Sequence, residues 1–188
     1  MKIRKLAFLS TLFAILLPTL VVATVVLSYT YPTSTSKVAP QIYLTQGPEY
    51  TTANDMGLIS TTFSSTTPIN ISSGTTITIN FPAGAAQEAL LNVLEIENAT
   101  SEKTNTEVSV YIEASLPSGI SMYASTSQLT YGVSTSTGVI TVSGTPISSS
   151  SYTEVVAAGT SWGTIYLGFL NSKGATGTGT IYIYYTVT

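Results

Sequence analysis

Apolar and polar residues alternate along much of this chain with a period of two. In residues 24–31 the larger apolar side chains fall on alternate positions: Val25, Leu27, Tyr29 and Tyr31. A period of two places successive side chains on opposite faces of an extended strand. The stretch therefore predicts a β-strand, which ends at Pro32.

Further extended stretches follow at short spacing, separated by Gly, Pro, Ser and Asn. They are residues 41–45, 58–63, 75–81, 91–97, 107–114, 128–133, 138–142, 164–170 and 180–187. Many short strands with turns between them predict an all-β fold, which we interpret as a jelly-roll-like β-sandwich. In the last stretch Ile181, Ile183, Tyr185 and Val187 share one face, so we expect it to be a central strand.

Only residues 83–94, with the sequence AGAAQEALLNVL, have the composition of a helix. Good helix formers follow Pro82, which is favoured at a helix start. We therefore expect at most one short helix, at this position.

The first 23 residues have the pattern of a secretory signal peptide. Lys2, Arg4 and Lys5 precede an apolar run, and cleavage is expected between Ala23 and Thr24. An uncleaved membrane anchor is an alternative, because apolar character continues to residue 27. A type IV pilin leader is a third, although the small residue expected beside the charges is missing. The remainder divides into a strand (24–31), a linker (32–40) and one domain (41–188).

The mature chain is acidic and weakly charged. Only 8% of all residues are charged, and after the leader three lysines oppose nine carboxylates, which gives a formal charge of −6. Nucleic acid and anionic membrane surfaces are therefore improbable partners, since both need clustered cations. Membrane contact is expected only through the leader. A surface with so little charge tends to associate.

The chain contains no cysteine and no histidine. This removes disulfides, thiol nucleophiles, imidazole bases and most transition-metal ligands. We therefore expect no cofactor, no metal, no catalytic residue and no enzymatic activity.

A few residues still admit a chemical role. Glu95 and Glu97 share a strand face and would suit glycoside hydrolysis or calcium binding, but a solvated face is the simpler interpretation. Trp162 is either a ligand-stacking contact or a packing residue. Lys103 and Lys173 are candidates for an isopeptide bond, although both lie in polar, turn-like stretches.

Two sequons, at Asn70 and Asn98, fit the acceptor pattern for N-glycans. They are therefore candidate glycosylation sites, consistent with a secreted chain.

The first strand is either part of its own domain or given to a neighbour. The predicted donor strand consists of Thr24, Val25, Val26, Leu27, Ser28, Tyr29, Thr30 and Tyr31. Residues 32–39 reach at most about 26 to 29 Å when extended. The recipient in the second case is an adjacent copy, and repeated strand addition forms a head-to-tail homopolymer.

The order of signal peptide, leading strand, LNVLEIENATSEKTNTEVSVYIEASLPSG and GTIYLGFLNSKGATGTGTIYIYYTVT resembles the TasA/camelysin-type matrix-fibre proteins. The closest likeness is to the archaeal bundling-pilus subunits of that group, with a weaker one to archaeal thread subunits. The resemblance implies a jelly-roll subunit that polymerises by donor-strand exchange into extracellular fibres, with lateral bundling between cells in biofilms.

We therefore expect an extracellular filament subunit of a thermophilic archaeon, with itself as partner. One alternative is a monomeric cell-surface or S-layer-associated domain tethered by its leader. A more distant one is a glycan-binding or glycan-cleaving sandwich that uses Glu95, Glu97 and Trp162.

Overall fold

The computed structural model describes residues 40–63, 67–71, 74–82, 87–99 and 108–187. The chain divides into two units, Met1–Lys37 and Val38–Thr188, and the division falls within the predicted linker. The predicted signal peptide, the donor strand and all of the linker except Pro40 lie outside the described residues. The architecture is therefore that of the second unit.

The described residues form mainly short strands. In chain order the elements are β1 (Ile42–Gln46), α1 (Tyr50–Asp55), β2 (Ser60–Thr61), β3 (Ile69–Asn70), β4 (Thr75–Phe81), β5 (Glu88–Asn98), β6 (Val108–Ser115), β7 (Ile120–Ser125), β8 (Tyr131–Val133), β9 (Ile140–Val142), β10 (Thr145–Pro146), β11 (Thr153–Val156), β12 (Thr164–Asn171) and β13 (Gly177–Val187).

Two antiparallel sheets form the sandwich. Sheet A has the order β10-β7-β12-β5-β1-β3, and sheet B has the order β11-β6-β13-β4-β2. The hairpin β8–β9 is a separate two-stranded sheet. From β4 to β7 and from β11 to β13, successive strands alternate between sheets A and B, as in jelly-roll-like folds. For the part of the chain that the structure describes, the prediction of an all-β sandwich with at most one short helix is confirmed.

The inner faces of the two sheets form one apolar core. Phe81 of sheet B meets Phe169 of sheet A edge to face, with ring centroids 5.3 Å apart. Side chains from both sheets, including Leu94, Ile112 and Ile165, are fully buried around this contact. The alternation seen in the sequence therefore separates a dry interface from the solvated outer faces.

Strand β13 occupies the central position that the sequence predicts. It pairs with β4 over residues 177–183 and with β6 over residues 180–187, so it has both neighbours over residues 180–183. Ile181 and Ile183 are buried, while Tyr182 and Tyr184 lie on the outer face and are half-buried. The C-terminal stretch is thus the central strand of sheet B.

The predicted helix at 83–94 is wrong. Residues 88–94 belong to β5, which pairs with β12 along most of its length. The short helix lies instead at α1, where the buried side chains of Tyr50 and Ala53 pack into the core. The hydroxyl of Tyr50 also accepts a hydrogen bond of 3.0 Å from the backbone N–H of Thr61, so tertiary contacts hold this helix in place.

A bulge in β5 gives this strand a helix-like burial pattern in addition to its helix-forming composition. Leu90 pairs with Phe169 and Leu94 with Leu167, so three residues of β5 face only Gly168 of β12. Asn92, at the centre of the bulge, has a φ of 51°. Leu90, Val93 and Leu94 are all buried across it, which produces the helix-like spacing i, i+3, i+4 within a strand.

The side chain of Asn92 holds the bulge in place. Its Oδ1 accepts a hydrogen bond of 2.7 Å from the backbone N–H of Leu129, and its Nδ2 donates one of 3.2 Å to the carbonyl of Leu129. Gly47 packs closely against the same point, and a Cβ there would overlap with the carbonyl oxygen of Asn92.

Four strand segments that the sequence pattern did not predict complete the fold: β3, β7, β10 and β11.

We expect Asn92→Ala to lower the free energy of unfolding by about 2 to 4 kcal/mol. The substitution strains the left-handed backbone and leaves two buried groups of Leu129 without partners. Asn92→Gly is the matched control, because it relieves the backbone strain but still removes both hydrogen bonds. Urea unfolding should rank wild type above Asn92→Gly and Asn92→Gly above Asn92→Ala; equal stability of all three would contradict this role.

Candidate functional site

The two glycosylation candidates have opposite environments. Asn70 lies on the edge strand β3 opposite Tyr43, and its side chain is exposed. Asn98 ends β5 opposite Ile42, whose side chain is fully buried, and Asn98 itself is only 5% exposed. The period of two explains the difference, since Asn98 points to the inner face of sheet A.

We predict that Asn70 carries an N-glycan and Asn98 does not. An oligosaccharide needs a solvated asparagine amide, and only Asn70 supplies one. Mass spectrometry of peptides from the protein isolated from its native host measures the occupancy of both sites. A glycan at Asn98 with an unmodified Asn70 would contradict the prediction.

Glu95 and Glu97 lie on the outer face of sheet A, as the alternation predicts, with Leu94 and Ile96 buried on the other face. The strand partners of Glu95 are Thr45 and Tyr166. Partial burial raises the pKa of Glu95 above its ordinary value of 4.5, and the neighbouring charge of Glu97 raises this pKa further.

The perturbed carboxyl does not by itself make a reactive pair. No cluster of three or more residues able to hold a metal ion occurs among the described residues. Trp162 is 5% exposed, so its ring is a packing residue and is not available to stack on a sugar. Its indole N–H is buried and has no hydrogen-bond partner among the described residues. The geometry therefore gives little support to a glycan site built from Glu95, Glu97 and Trp162.

We predict that Glu95→Gln stabilises the fold at neutral pH. A raised pKa means that the folded chain holds a proton that the unfolded chain has already released, so this contribution to stability falls as pH rises through that interval. Thermal unfolding from acidic to neutral pH measures the slope of stability against pH. Glu97→Gln should only weaken the slope, and an unchanged slope in Glu95→Gln would contradict the assignment.

The lysine proposed for an isopeptide bond is exposed. Lys173 lies in the turn between β12 and β13, and Asn171 holds that turn through its side-chain Oδ1, which accepts a hydrogen bond of 2.8 Å from the N–H of Ala175. Lys173 is therefore a surface residue, as the simpler interpretation held. Lys103 lies outside the described residues.

Tyrosines cluster on the outer face of sheet B. Tyr111 and Tyr184 stack with ring centroids 4.8 Å apart, and Tyr152 meets Tyr184 edge to face at 4.6 Å. The hydroxyl of Tyr111 donates a hydrogen bond of 3.2 Å to Glu154. Each ring of this cluster packs against another ring, and Tyr152, at its edge, remains exposed.

A cleft of about 490 Å³ lies between α1 and the first half of β5, and we call it the α1–β5 cleft. Its lining is largely apolar and includes Glu49, Ala53, Met56, Leu58, Leu91 and Tyr131. Met56 and Tyr131 are 66% and 61% exposed, the highest values among the large apolar side chains of the described residues. Sequence analysis missed this feature, because topology alone brings these residues together.

Strand pairing is incomplete beside this cleft. On the side of β1, the pairing of β5 begins at Leu94, opposite Gln46. Residues 89–91 therefore have no strand partner on that side within the described part of the chain. A backbone edge beside apolar side chains can accept another strand.

Among the residues that the structure describes, no helix has the length and apolar character of a membrane span. No model of a known protein family matches this chain, and no curated protein matches it. Function must therefore be argued from the residues and their geometry.

Proposed function

We propose that this chain is a structural subunit of an extracellular filament. In this proposal the leader directs secretion and is removed after Ala23, and residues 24–31 then complete a sheet of the next copy. Repetition of this contact produces a head-to-tail homopolymer that bundles laterally and supports cell–cell adhesion in biofilms. The subunit has a mechanical role and no catalytic one.

The observation that carries the proposal is incomplete strand pairing among the described residues, at residues 89–91 of β5 and at residues 75–78 of β4. Strand β2 pairs with only two of the seven residues of β4, at Asn80 and Ile79. Residues 75–78 thus have no partner on that side among the residues described. Soluble monomers usually protect such an edge against strand addition.

The edge strands on the opposite side of the sandwich carry features that protect against strand addition. The edge strand β10 ends in Pro146, and β11 carries an irregularity between Glu154 and Val156. Prolines and bulges of this kind discourage edge-to-edge pairing. Lysine, another common guard, is represented in the described residues only by Lys173, which lies in a turn. The exposed edges therefore favour a chain that associates through its strands.

The composition supports the same function. Residues 24–31 contain no charge, and their four large apolar side chains would contribute on the order of 6 to 12 kcal/mol on burial, before ordering costs. Association costs of about 4 to 15 kcal/mol offset much of this energy, so the main-chain hydrogen bonds of strand addition must add to it. A contact that joins two different surfaces grows into a filament rather than a closed pair.

We predict that Leu27→Asp abolishes filament assembly while Ser28→Asp preserves it. Both substitutions add the same charge to the leading strand, but only position 27 belongs to the apolar face that would be buried. Electron microscopy of the two purified variants measures the outcome. Filaments from Leu27→Asp that match the wild type, or equal loss in both variants, would contradict burial of this face.

A further inference from the structure

We propose that the α1–β5 cleft is the acceptor for residues 24–31 of a second copy. This inference rests on the proposed function and adds to it the place where the incoming strand binds. The strand pairs with β5 at residues 89–91 and places alternate side chains in the cleft.

On the side of β5 that faces β1, one stretch of backbone is hydrogen-bonded and the next has no strand partner among the described residues. The carbonyl of Val93 accepts a hydrogen bond of 2.9 Å from the N–H of Gly47, and the carbonyl of Asn92 accepts one of 3.4 Å from Glu49. These bonds end the contribution of the β1 segment. The next residues, 89–91, line the cleft. Ala89 and Leu90 pair with β12 on the other side and Leu91 lies in the bulge, and none of the three has a strand partner on this side among the described residues.

The side chains around the cleft match an uncharged apolar strand. The floor is formed by Ala53 and Leu90, both buried, and the rim by the exposed Met56 and Tyr131. Glu49 and Glu88 also line the cleft, so an acidic segment would be repelled. Residues 24–31 carry no charge and present an apolar side chain about every 7 Å.

The hairpin β8–β9 extends the apolar surface beyond the cleft. Tyr131 pairs with Val142 and Val133 with Ile140, so these four side chains share one face of the hairpin. Val133 is 53% exposed, although it is apolar. Pairing along residues 89–91 covers about 10 Å of an incoming strand that is about 26 Å long. The rest of that strand has this hairpin face available to it.

The end of the linker and the cleft lie at opposite ends of β1. Strand β1 starts next to Pro40, whose carbonyl accepts a hydrogen bond of 3.5 Å from the Tyr185 hydroxyl. The cleft lies beyond the other end of β1, past the pairing of Gln46 with Leu94. The five residues of β1 separate the end of the linker from the acceptor by about 17 Å, which is within the reach of residues 32–39, so the assignment to a second copy rests on the proposed function. A subunit with its two binding elements at opposite ends assembles head to tail.

The open edge at residues 75–78 of β4 is a weaker acceptor. Its outward side chains, Thr76 and Thr78, are exposed and polar. Val25, Leu27 and the two tyrosines would gain less burial there than beside Met56 and Leu91. Apolar area removed from water therefore distinguishes the two edges.

Cysteine cross-linking tests the acceptor directly, because the full chain contains no cysteine. The double variant Leu27→Cys/Met56→Cys, assembled and treated with a short bismaleimide, should give a ladder of covalent multimers. The matched control is Leu27→Cys/Tyr152→Cys, since Tyr152 is also exposed but lies in the tyrosine cluster of sheet B. Its ladder should be weaker by about tenfold or more.

Mixing the single variants Leu27→Cys and Met56→Cys separates contacts between copies from those within one copy. Cross-linked dimers are expected from the mixture. An internally linked monomer from the double variant, with no dimers from the mixture, would overturn the inference. Filaments that assemble normally without any link at Met56 would overturn the acceptor and leave the proposed function standing. A chain that forms no filaments would overturn both.

Discussion

The fold depends on the burial of two apolar sheet faces against each other. The chain has no cysteine for disulfides, and the part that the structure describes has a single cationic side chain, Lys173. Packing between Phe81 and Phe169 and the surrounding isoleucines and leucines must therefore supply most of the stability. Because this interface uses alternate residues of each strand, the outer faces are left to threonine, serine, tyrosine and a few glutamates.

The same constraint leaves backbone edges available. Strand β1 stops at Gln46 and the chain turns through Gly47 into α1, so the first half of β5 extends past its neighbour. Asn92, in the bulge, fixes the place where this pairing ends. Its carbonyl accepts a hydrogen bond from the N–H of Glu49 in the loop, and its side chain is hydrogen-bonded to the backbone of Leu129. A break in strand pairing and an apolar cleft thus occur together for a local structural reason. In the proposed filament this break is the acceptor, and the low charge of the surface permits close approach of copies.

Sequence patterns predicted the regular strands well. The bounds of β4 agree with the predicted 75–81, and the two-faced pattern of β13 predicts its central position, since its inward isoleucines need cover from both neighbours. The helix was misplaced because residues 83–94 are rich in good helix formers, whereas pairing with β12 makes residues 88–94 a strand. The burial of Leu90, Val93 and Leu94 at the bulge keeps a helical spacing within that strand. The actual helix, YTTAND, has weak helix formers and depends on the burial of Tyr50. The cleft was not predictable, because Met56 and Tyr131 are far apart in the sequence and meet only through the sheet topology.

The central claim is that the leading strand of each mature copy completes a sheet of the next. The most direct measurement is a structure of the assembled protein by electron cryo-microscopy, at a resolution that traces side chains. We expect residues 24–31 to form a strand beside β5 of the adjacent copy, with Leu27 and its apolar neighbours facing the cleft. Density that places this strand in a sheet of its own chain, in a protein that remains monomeric when concentrated, would contradict the account.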